Sequence, residues 1–181
     1  MALFLCTLPL AAQDSDKFVS ATAGFSLSKP AGWTFDARRT NASPSAEELQ
    51  KSSVRLVAMT HPEDLFTDFA VTLIPPNPVL ADASLKQIVE QVVLPNIRKR
   101  SATLTLQSPV RELELSGHPA AEYVATDTIR MEKLAMPVKM RAILVRSGRF
   151  YFLIDMFTAA VDEARAKEDF AKILSSITIE K

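Results

Sequence analysis

The sequence predicts an α+β protein, a largely antiparallel central sheet packed by helices as an α/β/α sandwich. Three observations carry this. From Ser108 onward four strand-like runs follow one another, separated by the tight turns Ser116-Gly-His-Pro119 and Ser147-Gly148. Phe150-Tyr-Phe-Leu-Ile154 is apolar at every position, the pattern of a central strand covered on both faces. Ala166, Phe170, Ile173, Leu174 and Ile177 recur at helical spacing opposite Arg165, Lys167, Glu168, Asp169 and Lys172, so an amphipathic helix between about residues 162 and 175 closes the core.

At 181 residues the chain fits one domain, long enough to bury a core without disulfides or metals. Its 21 basic and 21 acidic side chains leave no net field, which gives no support for nucleic acid as a partner. Residues 1–12 carry no charge and end in small residues before Gln13-Asp-Ser-Asp16. They read as a secretory leader, although no Lys or Arg lies near Met1. The run is too short to span a bilayer, which takes about 20 apolar residues. Residues 13–181 are then the mature domain, periplasmic or secreted and with no transmembrane span. Cys6 is the only cysteine, and Phe4 and Leu5 before it do not form a lipid-attachment signal. Cleavage near Ala12 leaves no thiol for catalysis, disulfides or metal binding.

Residues 13–24 form an extended lead-in. Phe25 and Leu27, then Trp33 and Phe35, alternate with polar residues around Lys29-Pro-Ala-Gly32, which predicts a hairpin. The breaker-rich stretch Arg38 to Ser45 is expected to be a mobile loop, followed by a helical turn over residues 45–51 capped by Ser45 or Ser43. Val54 to Thr60 and Phe66 to Ile74 read as strands, the second stopped by Pro75-Pro-Asn-Pro78. Ser84-Leu-Lys-Gln87 has the form of a capping box, and Leu85, Ile88, Val89 and Val92 follow on one helical face. Pro95 ends or kinks that helix, with Arg98-Lys-Arg100 at its C-terminal side, where positive charge favours the dipole. Strands are then predicted over residues 111–115, 120–131, 136–146 and 149–157.

Chemistry is sparse. His61 and His118 are the only histidines, each followed by proline. His61 with Glu63, Asp64 and Asp68 is the densest set of oxygen and nitrogen ligands, a weak cation site on one reading and a polar turn between strands on the other. The polar turn is preferred, because no metal-site spacing is met. His118 is read as a surface-turn residue. No nucleophile elbow and no glycine-rich phosphate loop exist, and Glu112 and Glu114 alternate with Leu113 and Leu115 as the solvated face of a strand. Trp33 and Phe35 are read as hydrophobic anchors rather than as a ligand groove, and Arg38-Arg39 as solvated. Met136 and Met140, with Val138, Ala142 and Leu144, fall on one strand face as core. No catalytic, cofactor-binding or metal residue is therefore assigned, and no cofactor.

Phe25-Ser-Leu-Ser-Lys-Pro-Ala-Gly-Trp33, Leu115-Ser-Gly-His-Pro-Ala-Ala-Glu-Tyr123 and the run from Arg149 through the closing helix to Ser175-Ser-Ile-Thr178 are the landmarks of the chain. Together they resemble the PsbP-like fold family, the extrinsic PsbP proteins of photosystem II and bacterial DcrB-like envelope relatives, over about residues 18 to 180. The resemblance implies an antiparallel sheet with helices around it, in proteins that act as accessory or binding subunits. The function expected is that of an exported, non-enzymatic accessory or binding protein of the cell envelope, its partner a protein, an envelope polymer or a small ligand. The alternative is an exported hydrolase whose site converges only in the fold. The loop from Arg38 to Ser45 and the segment Pro75 to Pro78 are the expected interaction surface, since binding residues concentrate on loops held by a rigid sheet.

Overall fold

The computed structural model describes residues 16–61, 63–75, 77–131, 134–148, 150–159 and 162–180. Residues 1–15, which include the expected leader and Cys6, lie outside them. Among the described residues eleven strands form two sheets. β1 (Lys17–Ser20), β2 (Phe25–Ser28) and β11 (Thr178–Ile179) make a three-stranded sheet in the order β1-β2-β11. The larger sheet runs β3 (Thr34–Phe35), β4 (Val54–His61), β5 (Asp64–Ile74), β10 (Phe150–Ala159), β9 (Leu134–Ser147), β8 (His118–Met131) and β6 (Thr105–Leu106), with β7 (Arg111–Leu115) also on β8. Every pairing among these strands is antiparallel. Where a two-residue turn joins neighbours, as between β7 and β8, the reversal is forced.

β10 lies between β5 and β9, as its two-sided apolar pattern predicts. Alternate side chains enter two separate cores. Phe152, Ile154 and Met156 join Leu56, Met59, Phe69 and Ile143 beneath the closing helix (Glu163–Ser176) and the small sheet. Tyr151, Leu153 and Phe157 face Leu144, Met140 and Tyr123 on the other side, under the helix of residues 85–98. Helices therefore cover both faces of the sheet.

The predicted hairpin over Lys29-Pro-Ala-Gly32 does not form. β2 pairs with β1 and β11 in the small sheet, whereas β3 pairs with β4 in the large one. Gly32, at φ +84°, turns the chain from one sheet to the other instead of back on itself. Alternation specifies a strand but not its neighbour.

Helix boundaries follow the side-chain signals. Ser45 caps residues Ala46–Lys51 and Ser84 caps the second helix, each with a full capping box, to Glu48 and Gln87 respectively. In the second helix the segment Val89–Val93 is a π-turn, in which Leu94 N–H bonds Val89 C=O, and the α-helix resumes over Leu94–Arg98. Pro95 thus neither ends the helix nor stands alone as a kink. The widened turn lies just where the proline ring would crowd the carbonyl four residues earlier.

Leu115 is opposite His118, so Ser116 and Gly117 form a two-residue loop with φ of +53° and +76°. Two positive φ values define the turn that matches strand twist. A Cβ on Gly117 would meet nothing within 4 Å. Gly117→Ala is therefore expected to lose about 1 kcal/mol through backbone conformation alone, read as a lowered thermal midpoint with unchanged circular dichroism.

Candidate functional site

The segment after β3 runs along the edge of β4. Asp36 N–H bonds Ala58 C=O, Asn41 N–H bonds the carbonyls of Arg55 and Leu56, and Thr40 Oγ1 accepts from Ala58 N–H at 3.1 Å. Residues 36–41 are thus laced to the sheet, which ties the first part of the loop expected at Arg38 to Ser45 to β4. Edge backbone groups of β4 need partners, and this segment supplies them.

Arg39 is exposed, as read, but it is ion-paired and not free. Its Nη1 and Nη2 donate to the two carboxylate oxygens of Asp68, each at 2.8 Å, and its Nε donates to Asp36 at 2.5 Å. The planar fork of an arginine fits this clamp and a lysine does not. The Arg39 hydrogen bond holds the Asp36 carboxyl below its usual range, and Asp68, then Asp36, hold the guanidinium firmly protonated.

Beside this clamp lies an open cleft of about 580 Å³, lined by Arg38, Arg39, Asn41, Glu48 and Arg55 among others. Glu48 is committed to the helix cap, accepting from Ser45 N–H at 2.8 Å. Among the described residues neither Arg38 nor Arg55 forms an ion pair. Two guanidinia therefore stand exposed on a polar cleft, Arg38 on the loop where sequence reasoning put an interaction surface and Arg55 on β4, outside it. The other expected segment, around Pro78, borders a separate recess of about 210 Å³ with Asn77, Arg146 and Tyr151.

Behind the cleft the sheet carries one carboxylate that sequence reasoning did not single out. Asp155 is in register with Ala70 and Ala142, which are in turn opposite Ala58 and Tyr123. The row is Ala58, Ala70, Asp155, Ala142, Tyr123, one acid among alanines. Among the described residues no hydrogen bond reaches its carboxyl. Burial pushes its pKa up to about 7, with Arg55 pulling it down and Asp68 adding to the rise. Burial, and then the Asp155 charge, push the Tyr123 hydroxyl up as well. The signal was present as the single acid in Phe-Tyr-Phe-Leu-Ile-Asp155-Met-Phe.

The histidines do not converge on this region. His61 Nδ1 accepts from Glu63 N–H at 3.3 Å, and its ring stands edge-on to Trp33 with centroids 5.8 Å apart. The strand-to-strand turn is the observed setting, while the side chain of Asp64 lies outside the described residues. Among the described residues no group of three or more His, Cys, Asp and Glu side chains is arranged to hold a metal ion. His118 is not a surface-turn residue. It is 7% exposed in β8, its Nε2 3.2 Å from Ile179 C=O, because β11 folds back over the turn. Neither ring is within hydrogen-bond reach of both a carboxylate and a hydroxyl among the described residues. Trp33 is an anchor as read, 2% exposed, and its indole N–H donates to Asp169 at 3.0 Å. Asp169, assigned by spacing to the solvated helix face, is accordingly buried.

An antiparallel sheet between two helical layers, with a small accessory sheet, defines the class of this protein. No protein-family model and no curated protein matches the chain. Among solved structures it is similar to cyanobacterial PsbP (CyanoP) from Synechocystis sp. PCC 6803, with a TM-score of 0.62 and 13% identity over 91% of each chain. It is also similar to the Ran-binding protein Mog1p of Saccharomyces cerevisiae, with a TM-score of 0.57 and 9% identity over 90% of this chain and 94% of that one. LpqN of Mycobacterium tuberculosis, involved in cell envelope biogenesis, gives a TM-score of 0.53 and 11% identity over 87% of this chain and 83% of that one. The chain has the PsbP-like fold, and at such identities the likeness is one of fold.

Proposed function

We propose that this chain is an exported, non-enzymatic binding protein of the cell envelope, a single domain over residues 13–181 freed of a leader at residues 1–12. It captures an acidic segment of a partner protein in the cleft beside β4. The observation that carries this reading is the pair of unpaired guanidinia, Arg38 and Arg55, at the mouth of that cleft. Arg38 sits on a segment laced to the sheet and Arg55 on β4 itself, so the backbones that carry them have little ordering entropy left to lose on binding. Binding neighbours of the same fold, the Ran-binding protein among them, support a recognition role. No helix among the described residues is long and apolar enough to cross a membrane.

A fluorescein-labelled glutamate-rich peptide tests the cleft by anisotropy at low salt. Arg38→Glu with Arg55→Glu is expected to weaken binding at least tenfold, since opposed charges steer and hold such a complex. Unchanged affinity in the double variant would overturn the proposal. N-terminal sequencing of the envelope fraction tests export, with a mature start near Gln13 expected and an intact Met1 contradicting it.

A further inference from the structure

The closing helix leaves a groove against the large sheet. Farther along the helix Phe170, Ile173 and Ile177 fill the space against the core, but near its start the inward residue is Ala166. The gap that this small side chain leaves has a volume of about 250 Å³. Its floor consists of two adjacent register rows of β8, β9 and β10: Val124, Arg141 and Met156, then Lys139 and Thr158. The Phe170 ring forms one wall.

Charge is unevenly distributed around this floor. Glu122, 6% exposed, is shared by two guanidinia: Arg111 Nη2 at 2.6 Å and Arg141 Nε at 2.6 Å. Arg141 also lies over the Phe170 ring, 5.4 Å from its centroid, which fixes its planar head at the edge of the groove. Lys139 pairs with Glu163 at the rim. Lys167, on the exposed side of the helix, has no carboxylate partner among the described residues. Among the charged residues that line the groove, Lys139, Arg141 and Lys167 outnumber Glu163, beside the apolar Val124, Met156 and Phe170.

We infer that this groove binds a small anionic amphiphile, an alkyl carboxylate whose tail lies on Val124, Met156 and Phe170 while its head meets Arg141 and Lys167. The two halves of the ligand match the two halves of the lining, and the volume is below that of drug-sized pockets, so the occupant is a short chain. The inference stands apart from the acidic-partner cleft, which lies at the β4 edge and shares no lining residue with this groove.

Octanoate is the probe, followed by amide chemical shifts of the full mature chain. At about ten non-hydrogen atoms it is expected to bind with a Kd on the order of 0.1–1 mM. Shifts should cluster at residues 124, 139–141, 156–158 and 163–170. Acetate, without a tail, and octanol, without a charge, are each expected to bind at least tenfold more weakly. Val124→Trp fills the groove from a half-buried position and Lys167→Glu reverses an exposed charge, so both leave the core intact. Each should weaken octanoate at least tenfold. No saturable shift up to about 10 mM, a hundred times the lower Kd bound, would overturn the inference. So would shifts centred elsewhere, equal binding of octanol, or full affinity in both variants.

Discussion

Asp155→Asn is expected to raise the unfolding free energy by about 2–4 kcal/mol at pH 8 and to leave it nearly unchanged near pH 4. The reason is the alanine row. Its neighbours in register, Ala70 and Ala142, supply no side-chain donor, and Arg55 offsets only part of the hydration lost by this partly buried carboxyl. The native carboxyl therefore keeps its proton up to about pH 7, against 3.8 for an ordinary aspartate. Below about pH 4 both folded and unfolded chains hold that proton, and the group contributes nothing to the pH dependence. As pH rises from 4 to 7 the unfolded chain releases it more readily than the native chain, so stability falls; above pH 7 the loss is complete and constant. Asparagine removes the charge and with it this slope. Thermal unfolding of both proteins between pH 4 and 8 gives the comparison, and a difference that does not vary with pH would refute the account.

Phe170→Ala is expected to lower stability by about 3–5 kcal/mol. The ring is 1% exposed, meets Phe69 with centroids 6.2 Å apart and lies beneath the Arg141 guanidinium. Truncation leaves a cavity between helix and sheet that neither can close, since β10 is held by β5 and β9 on either side. Leu174, one turn on and only partly buried, is the internal comparison. Leu174→Ala should cost less than half as much. Urea titration measures both, and equal losses would show that the helix is held by its outer stripe and not by its inner one.

Much of this architecture was legible because it is local. The capping boxes at Ser45 and Ser84, the Ser116-Gly117 and Ser147-Gly148 turns, the double-faced strand at Phe150 to Ile154 and the inward stripe of the closing helix are each written within a few residues. The expected loop surface was legible in position but not in state. Composition marks residues 38–45 as irregular, whereas the hydrogen bonds of Asn41 and Thr40 to β4 depend on a strand that begins over ten residues later.

What the sequence by itself determined is the set of elements, their period and the faces they bury, since helices and strands select their apolar positions by spacing. Tertiary structure alone decided which strands are neighbours and which polar groups meet. It sent β2 and β3 to different sheets, buried Asp169 against an indole 136 residues away in sequence, covered His118 with β11 and isolated Asp155 among alanines. Each of these is a pairing between distant segments. A polar side chain is exposed, satisfied or left with a raised pKa according to what the rest of the chain brings beside it, and periodicity within one segment contains no record of that.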